Sequence, residues 1–382
     1  MGNCTGTLLI GIFASVAAAA GSEAVERNRQ ASQLYNQGRY AEAEALYRSA
    51  LQAFDAAGDV ERVDRALTIE NLAVMLRAQG RYPESEKLHL TAIPVLEAGT
   101  GNGSVETARA VNNMAALYWS WGKLEKAETL ALRAGDLFAG LTPPVPADQA
   151  SNGQLLASIY LAQHRFDDAT SLLNRIAGRG EPVHVVSGYV NLSAAALASY
   201  EPARAEEYAR HALEIATRDL PSRHPVTASA LNNLAQACRF QGKYLEAETR
   251  YREAIELLQD ALGAEHPDTA RAMTNLAAFF HERGREAGAE DLYLRVAEIL
   301  ERAFGKRNAQ VLEARNELAD VFRAERRFTE SEKLARTSLA EMESVVPAGD
   351  PRLSRALQNY ARLLAETNRT AQAKKVWAKT LR

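Results

Sequence analysis

Apolar and polar positions follow a helical period along most of the chain. From Leu231 to Leu258 they form two stripes that are joined at Gly242. The first stripe consists of Leu231, Leu234, Ala235 and Cys238, and the second of Ala247, Tyr251, Ala254 and Leu258. Apolar residues at this spacing lie along one face of an α-helix. Glycine ends the first helix well because it adopts positive φ without steric cost. The pattern predicts two amphipathic helices joined by a short turn.

The same pattern recurs along the chain at a nearly constant step. The turn "QGKY" at Gly242 has close counterparts in the two "QGRY" turns. The nine turn positions are Gly38, Gly80, Gly122, His164, Tyr200, Gly242, Gly284, Arg326 and Asn368. Seven steps are 42 residues, and the step from His164 to Tyr200 is 36. A fixed period of this length is typical of solenoids, whose units bury their apolar faces against each other. We therefore predict an all-α solenoid of about nine antiparallel helix pairs over residues 23–382.

Small residues recur where the two helices of a pair must approach closely. In the first helices they are Ala73, Ala115, Ala157, Ser193, Ala235, Ala277, Ala319 and Ala361. In the second helices they are Ala43, Ala127, Ala169, Ala205, Ala247, Ala289 and Ala373. A bulky side chain there would force the pair apart at a cost on the order of 1–3 kcal/mol.

The fourth repeat, at about residues 149–184, is irregular because its step is six residues short. "GLTPPVPAD" precedes it and "GRGEPVHVV" ends it. We expect a bend or hinge of the array here. The alternative is a local shortening without functional meaning.

Composition narrows the classes of function. Apolar residues make up 47% of the 382 residues and charged residues 24%, which is typical of a chain that buries a core. With 45 basic and 48 acidic residues the net charge is -3, so we expect neither nucleic acid nor an anionic membrane as a partner. Cys4 and Cys238 are the two cysteines, which excludes a disulfide framework and a Cys-based zinc site. Cys238 lies in the apolar stripe and is expected to be a small buried side chain.

The N-terminal stretch resembles a targeting signal. "TGTLLIGIFASVAAAAGSEA" has an apolar run from Leu8 to Ala20, followed by small residues. The run has the length of a signal-peptide core and is too short for a comfortable membrane span. No Lys or Arg precedes it. We expect residues 1–22 to be a signal peptide cleaved near Ala20 or an uncleaved N-terminal anchor, and the protein to be exported to the periplasm or secreted. Without a functional signal the protein would be cytoplasmic.

The repeat resembles a known family. The residues that carry the likeness are "HPVTASALNNLAQACRFQGKYLEAETRYREAIELLQDALGAEHPDTA", from His224 to Ala270. They are similar to tetratricopeptide repeats, and the 42-residue step with "LG" and "HP" between units is similar to the long repeats of kinesin light chains. The resemblance implies a right-handed superhelix of helix pairs. It also implies that the first helices line a concave groove, which holds an extended peptide or another protein's surface.

One polar position of the first helix recurs in register with the turns. It is occupied by Asn71, Asn113, Asn191, Asn233, Asn275 and Asn359, whereas the fourth repeat has Leu155 and the eighth Glu317. Asn is a mediocre helix former, so its recurrence indicates a role. The resemblance implies that an Asn here donates its amide to the backbone of a bound peptide. Alternatively, these side chains bond a neighbouring repeat and organise the stack.

Arginines accompany the asparagines. Arg109, Arg271 and Arg355 lie one turn before an Asn and share its face, and Arg239 lies on the flank of the groove. Such a groove favours a ligand with carboxylates, for example an acidic segment or a free C-terminus. The alternative is a solvated charged face.

Two tryptophans lie two residues apart in "WSWGK", from Trp119 to Lys123. Residues at this spacing do not share a helical face, so we expect one to pack and the other to be exposed. An exposed Trp in the groove would anchor a ligand, and a Trp that bridges two repeats is an equally good interpretation.

The sequence indicates no catalytic site. It contains no P-loop, no HExxH and no Cys/His cluster, and "GTGNG" at Gly99 to Gly103 joins two repeats rather than following a strand. We therefore predict a non-catalytic scaffold, without a cofactor or metal, that binds a peptide or protein segment in its groove. The alternative is a peptide-sensing regulatory protein whose curvature changes when the ligand binds.

Overall fold

The computed structural model describes residues 21–57, 62–101, 103–177, 181–346 and 350–381. These residues form helices and turns, without a strand. The helices are α1 (Gly21–Asn36), α2 (Tyr40–Ala57), α3 (Arg62–Ala78), α4 (Tyr82–Thr100), α5 (Val105–Ser120), α6 (Leu124–Ala139), α7 (Pro146–Ala162), α8 (Phe166–Ala177), α9 (Pro182–Ala198), α10 (Pro202–Asp219), α11 (Pro225–Phe240), α12 (Tyr244–Leu262), α13 (Pro267–Glu282), α14 (Glu286–Phe304), α15 (Ala309–Ala324), α16 (Phe328–Val345), α17 (Pro351–Glu366) and α18 (Thr370–Trp377). A short 3-10 helix, Ala378–Leu381, follows α18.

The prediction for residues 1–22 falls largely outside the described residues, which begin with α1 at Gly21. Among the described helices, none combines the length and the apolar character that crossing a membrane requires.

The predicted all-α array of helix pairs is confirmed. Odd-numbered helices are the first helices of the repeats and even-numbered helices the second, and a three-residue turn joins the two. The pairs α1/α2, α3/α4, α5/α6, α7/α8, α9/α10, α13/α14, α15/α16 and α17/α18 are in contact. Within each compact unit, consecutive pairs also pack on each other, for example α4 on α5 and α16 on α17. The chain thus buries its apolar stripes against neighbours in sequence, as a solenoid does.

The chain forms two compact units, and the boundary between them along the sequence lies within α12. The first unit extends to Arg250 and the second begins at Tyr251. In the first unit a large apolar core includes Val111, Ala115 and Phe138. In the second unit Leu312, Met342 and Leu357 belong to such a core.

The close approach predicted from the small residues is confirmed. All of them are buried, from Ala43 in α2 to Ala373 in α18. Ser85 of α4 also occupies this position, and its hydroxyl donates to the Ala73 carbonyl of α3 at 2.7 Å. Ser193 of α9 donates to the Ala205 carbonyl of α10 at 2.8 Å. A side-chain hydroxyl reaches the partner helix's backbone only when the two helices are very close.

The turn within each repeat requires a left-handed residue. All nine turn positions have positive φ, including the four without glycine, which are His164, Tyr200, Arg326 and Asn368. The period of the sequence thus located left-handed turns even where the residue type did not indicate them. The short fourth repeat is visible as well, because α8 has 12 residues whereas α6 and α10 have 16 and 18.

Exchanging residue types at two turns is expected to have opposite effects on stability. Arg326 is exposed and has φ 61°, so Arg326→Gly relieves a left-handed conformation and should raise the free energy of unfolding by about 1 kcal/mol. Gly242 has φ 75°, and an added Cβ would meet no atom within 4 Å. Gly242→Ala should therefore lower the free energy of unfolding by about 1 kcal/mol, through the strain of the left-handed backbone alone. Urea denaturation followed by circular dichroism measures both. Equal midpoints for the two variants would refute this account.

Candidate functional site

The candidate site is the first-helix face that carries the recurring asparagines. In the first unit these are Asn71 on α3, Asn113 on α5, Asn191 on α9 and Asn233 on α11, and all four are buried. On α11 the neighbouring Asn232 is half-buried instead. The asparagine position therefore points between helices rather than straight outward.

Two of these asparagines bond a neighbouring repeat. The Asn233 amide donates to the Val190 carbonyl of α9 at 2.8 Å. The Asn71 amide donates to the Asn28 side-chain oxygen of α1 at 3.3 Å. These bonds run between consecutive first helices, so both side chains contribute to the stacking of repeats.

Sequence reasoning missed a third asparagine with this role. The fourth repeat has Leu155 at the recurring position, and Asn152 lies one turn earlier on α7. Its amide donates to the Ala131 carbonyl at 2.8 Å and to the Asn112 side-chain oxygen at 3.0 Å. The signal in the sequence was a single asparagine on this first helix, placed one turn before the recurring position.

Asn191 differs from the asparagines that link repeats. Its amide nitrogen is buried and has no hydrogen-bond partner among the described residues. A buried donor without an acceptor costs about 1–3 kcal/mol. The first unit therefore carries an unused donor on α9, at the position where the next repeat uses Asn233 to bond Val190.

In the second unit Asn275 on α13 and Asn359 on α17 are half-buried. Glu317 of α15 stands at the same position of the eighth repeat. Burial raises the pKa of the Glu317 carboxyl to about 7. The Arg355 guanidinium lies 3.7 Å from this carboxyl group. A carboxyl group that titrates near neutral pH thus replaces the amide in this repeat.

The predicted arginines lie beside acids or an aromatic ring. Arg109 forms two bonds to Asp148 of α7, at 2.9 and 2.8 Å, and so links the third and fourth repeats. Arg271 lies 3.1 Å from Asp268 on its own helix. Arg239 lies over the Phe240 ring, 4.8 Å from its centroid.

The arginines differ in how far they remain open to solvent. Arg109 exposes 23% of its side chain, whereas Arg271 and Arg355 expose 43% and 59%. Within the second unit, Arg271 and Arg355 therefore keep surface that a ligand could contact, although each already has an acidic neighbour.

His281 joins three helices of the second unit. Its Nδ1 lies 2.5 Å from Glu286 of α14, and its Nε2 lies 3.1 Å from Asp320 of α15. Its bonds to Asp320 and Glu286 raise the pKa of His281 to about 9. Burial alone would raise the pKa of Asp320, but bonds from His281 and Arg323 hold it at about 2. The pair is therefore ionised at neutral pH.

Trp119 links two repeats of the first unit. Its indole nitrogen donates to the Ser158 carbonyl of α7 at 3.2 Å. Trp121, two residues on, lies under the Lys123 ammonium, which is 3.1 Å from the ring centroid. Of the two interpretations of the tryptophan pair, Trp119 therefore fits the one in which a Trp bridges two repeats.

One cluster in the first unit has the composition of a metal site. Glu206, Cys238 and Glu246 place ligand atoms within 4.8 Å of one another. Lys243 and Arg210 already bond Glu206, at 2.6 and 2.7 Å, and Arg210 also bonds Glu246 at 2.7 Å. Burial raises the pKa of the Cys238 thiol to about 11. Because a metal requires a thiolate and free carboxylates, this cluster is better described as ion pairs around a buried thiol.

Comparison with known proteins gives related sequences and folds. A profile described as "Tetratricopeptide repeat" matches residues 184–260 and 226–302, and one described as "MalT-like TPR region" matches residues 29–200. Among curated proteins, none matches the sequence significantly.

Solved structures with a similar fold include the nearly identical tetratricopeptide-like repeats of a putative kinesin light chain from Podosopora anserina, 19% identical over 53% of this chain and 95% of that one, with a TM-score of 0.45. The apo form of RapI is 14% identical over 73% of this chain and 98% of that one, with a TM-score of 0.51. Aspartyl phosphate phosphatase F from Bacillus subtilis is 12% identical over 97% and 95%, with a TM-score of 0.50. At these identities the likeness concerns the fold alone.

The ionised His281 is expected to make the second unit less stable in alkali. Its folded pKa of about 9 exceeds the ordinary 6.5, so its contribution is complete below pH 6.5 and is lost as the pH rises through 9. From pH 7.5 to 9.5 this loss is on the order of 1–2 kcal/mol. This pH interval lies above the pKa of Glu317, about 7, so the ionisation of Glu317 contributes little to the change. Urea denaturation of wild type and His281→Gln at the two pH values isolates the effect, since the variant should lose less stability. Parallel losses in both proteins would contradict it.

Proposed function

Because this chain belongs to the tetratricopeptide repeat family, we propose that it is a non-catalytic scaffold that binds an extended peptide or protein segment along its first-helix face. No cofactor or metal takes part in this function. Solenoids of helix pairs present long surfaces to which several repeats contribute, which suits an extended ligand.

The observation that carries the proposal is the unused amide of Asn191. Its nitrogen is a buried donor without an acceptor among the described residues. Because this nitrogen has almost no accessible surface, the Asn191 side chain would rotate toward the bound peptide. Its amide would then donate to a main-chain carbonyl of the peptide, and the amide's oxygen would accept a main-chain N–H. Binding would then remove the cost of an unsatisfied donor in addition to forming new contacts. Asn71 and Asn233 lack this advantage because their amides already bond neighbouring repeats.

The second part of the proposal is that the ligand carries acidic groups, which bind to arginines of the second unit. Arg271 and Arg355 expose 43% and 59% of their side chains. A ligand carboxylate would form charge-assisted hydrogen bonds with either guanidinium. The acidic neighbours of Arg355 are weak competitors, since Arg355 lies 3.7 Å from both Glu313 and Glu317.

Affinity capture from cells of the source organism tests the site. Asn191→Asp keeps the shape of the side chain but removes the donor, and Asn191→Ala removes the side chain. Both variants should recover at least about 5-fold less of the partner that the wild type captures, since one hydrogen bond is worth about 1 kcal/mol. The urea midpoint of Asn191→Ala should not fall below that of the wild type, because this variant removes a buried donor that no described residue satisfies.

The matched control is Asn233→Ala. It removes the bond to Val190 and should lower the free energy of unfolding by about 1 kcal/mol. Equal capture by wild type and both Asn191 variants would move the binding site away from this face. A large change in the radius of gyration on binding, measured by X-ray scattering, would favour the peptide-sensing alternative over a scaffold.

We also propose that residues 1–22 direct export. The apolar run from Leu8 to Ala20 and the small residues after it support this. Expression of the full chain in a bacterial host, fractionation, and intact-mass measurement should give a periplasmic product that begins near residue 21. A cytoplasmic product with the intact N-terminus would refute export.

A further inference from the structure

A ladder of ion pairs connects consecutive repeats. The residue after each turn position is basic in eight of the nine repeats, and the position five residues further on, in the second helix, is acidic in seven of the nine. The basic residue of one repeat bonds the acid of the preceding repeat, 37 residues earlier. In the first unit these pairs are Arg81–Glu44, Arg165–Glu128 and Lys243–Glu206, at 2.7, 2.8 and 2.6 Å, and Lys123–Glu86 at 3.9 Å. In the second unit they are Arg327–Glu290 and Arg369–Glu332, at 2.8 and 2.6 Å.

An aromatic ring often completes this arrangement. The Arg165 guanidinium lies 4.0 Å from the Tyr160 ring centroid, and that of Arg327 lies 4.1 Å from Phe322. Each ring belongs to the residue four positions before the turn, near the end of the first helix. In these repeats the cation therefore lies between a ring of its own repeat and a carboxylate of the preceding one.

The ladder is interrupted between α8 and α10. The residue after the turn at Tyr200 is Glu201 instead of a cation, and Thr170 replaces the acid of the preceding repeat. Ala196 stands where Tyr160 and Phe322 stand in their repeats. At this junction alone among the described ladder positions, neither member of the ion pair has its usual charge.

A cavity of about 290 Å³ occupies this junction, and Thr170, Ala196 and Glu201 line it. The space that a cation and a ring fill elsewhere is left open here. The volume lies just below the usual range of small-molecule pockets, about 300–1,000 Å³, and suits a single large side chain.

The lining favours a cation with several donors. Glu201 and the exposed Asp167 bring two carboxylates to the cavity, against one cation, Arg204, which bonds Glu201 at 2.6 Å. Asp167 forms no ion pair with another described residue. Tyr208 contributes an aromatic ring, and Arg204 already donates to the Tyr208 hydroxyl at 3.2 Å.

Hydrogen-bond acceptors complete the lining. Thr170, Ser171 and Asn174 contribute side-chain oxygens that bond no other described residue. A guanidinium carries five donors in a planar fork and stacks on aromatic rings, so it uses this set of groups better than an ammonium does.

We infer that this cavity is a binding site for an arginine side chain of a partner protein, which takes the place of the cation missing from the ladder. The guanidinium is held by Glu201 and Asp167 and by the side-chain oxygens of α8. The site lies among second helices and the end of α9, so it does not rest on peptide binding along the first-helix face.

Binding of single-residue probes to the full chain tests the inference. The probes are Nα-acetyl-arginine methylamide, its citrulline analogue, which is nearly isosteric but uncharged, and its lysine analogue. Ligand-observed saturation-transfer NMR measures weak binding of this kind. We expect the arginine probe to bind at least 5-fold more tightly than the citrulline probe, with the lysine probe in between.

Two variants and one control locate the binding. The triple variant Thr170→Glu, Ala196→Tyr, Glu201→Arg rebuilds the ladder, fills the cavity and should weaken arginine binding at least 5-fold. Glu201→Gln should weaken it without rebuilding anything, so the test holds even if the triple variant does not fold. Glu207→Gln removes an exposed charge from the same helix and should leave binding unchanged.

Equal affinity for arginine and citrulline probes would overturn the inference. So would unchanged arginine binding by Glu201→Gln or by a folded triple variant, because the binding would then lie elsewhere. Loss of partner capture by Asn191→Asp with retained arginine binding would show that the two sites stand independently.

Discussion

The structure depends on one contact, the close approach of the two helices within each repeat. At this contact two backbones come so near that the Ser85 hydroxyl of α4 reaches a carbonyl of α3, as the Ser331 hydroxyl of α16 reaches one of α15, both at 2.7 Å. Elsewhere alanine fills the position and is buried. Because a larger side chain would separate the helices, the contact sets the spacing of every pair. A constant spacing in turn lets polar side chains meet between repeats at constant separations along the chain.

Because these contacts recur at constant separations, most of the charged and amide side chains at repeated positions already form hydrogen bonds or ion pairs. Arg165 bonds Glu128 across one repeat step, and the Asn233 amide bonds the Val190 carbonyl across another. Arg109 and Asp148 form a two-bond link between α5 and α7. In a solenoid, where contacts are confined to neighbours, such links add to the apolar contacts in setting the register of the stack. A polar residue that recurs with the period is therefore explained first by stacking.

The sequence predicts the features that repeat and misses those that depend on side-chain direction. The helices, turns and small contact residues follow from local patterns that recur many times, so even left-handed turns at His164 and Arg326 could be placed. The direction of the Asn233 side chain could not be predicted in the same way. Neighbouring residues of a helix point in different directions, and on α11 Asn233 is buried whereas Asn232 is half-buried. The pairing of Arg109 with Asp148 also lay beyond the sequence, since many acids are available to an arginine until the geometry selects one. The candidate site could therefore be located on the first helices, but its free and engaged members could not be distinguished.

Departures from the period carry more information about binding than the period itself. A buried donor without an acceptor and an unfilled polar cavity both lower stability. Here the two occur on one helix, since α9 carries both Asn191 and the cavity-lining Ala196. That helix directly follows the short α8. A ligand gains the most binding free energy where it supplies a missing partner. The Asn191 donor is already desolvated before the ligand binds, and the cavity is already open. In both proposed binding modes, the groups that a ligand would contact therefore lie on and around α9, the first helix of the fifth repeat, directly after the irregular fourth repeat.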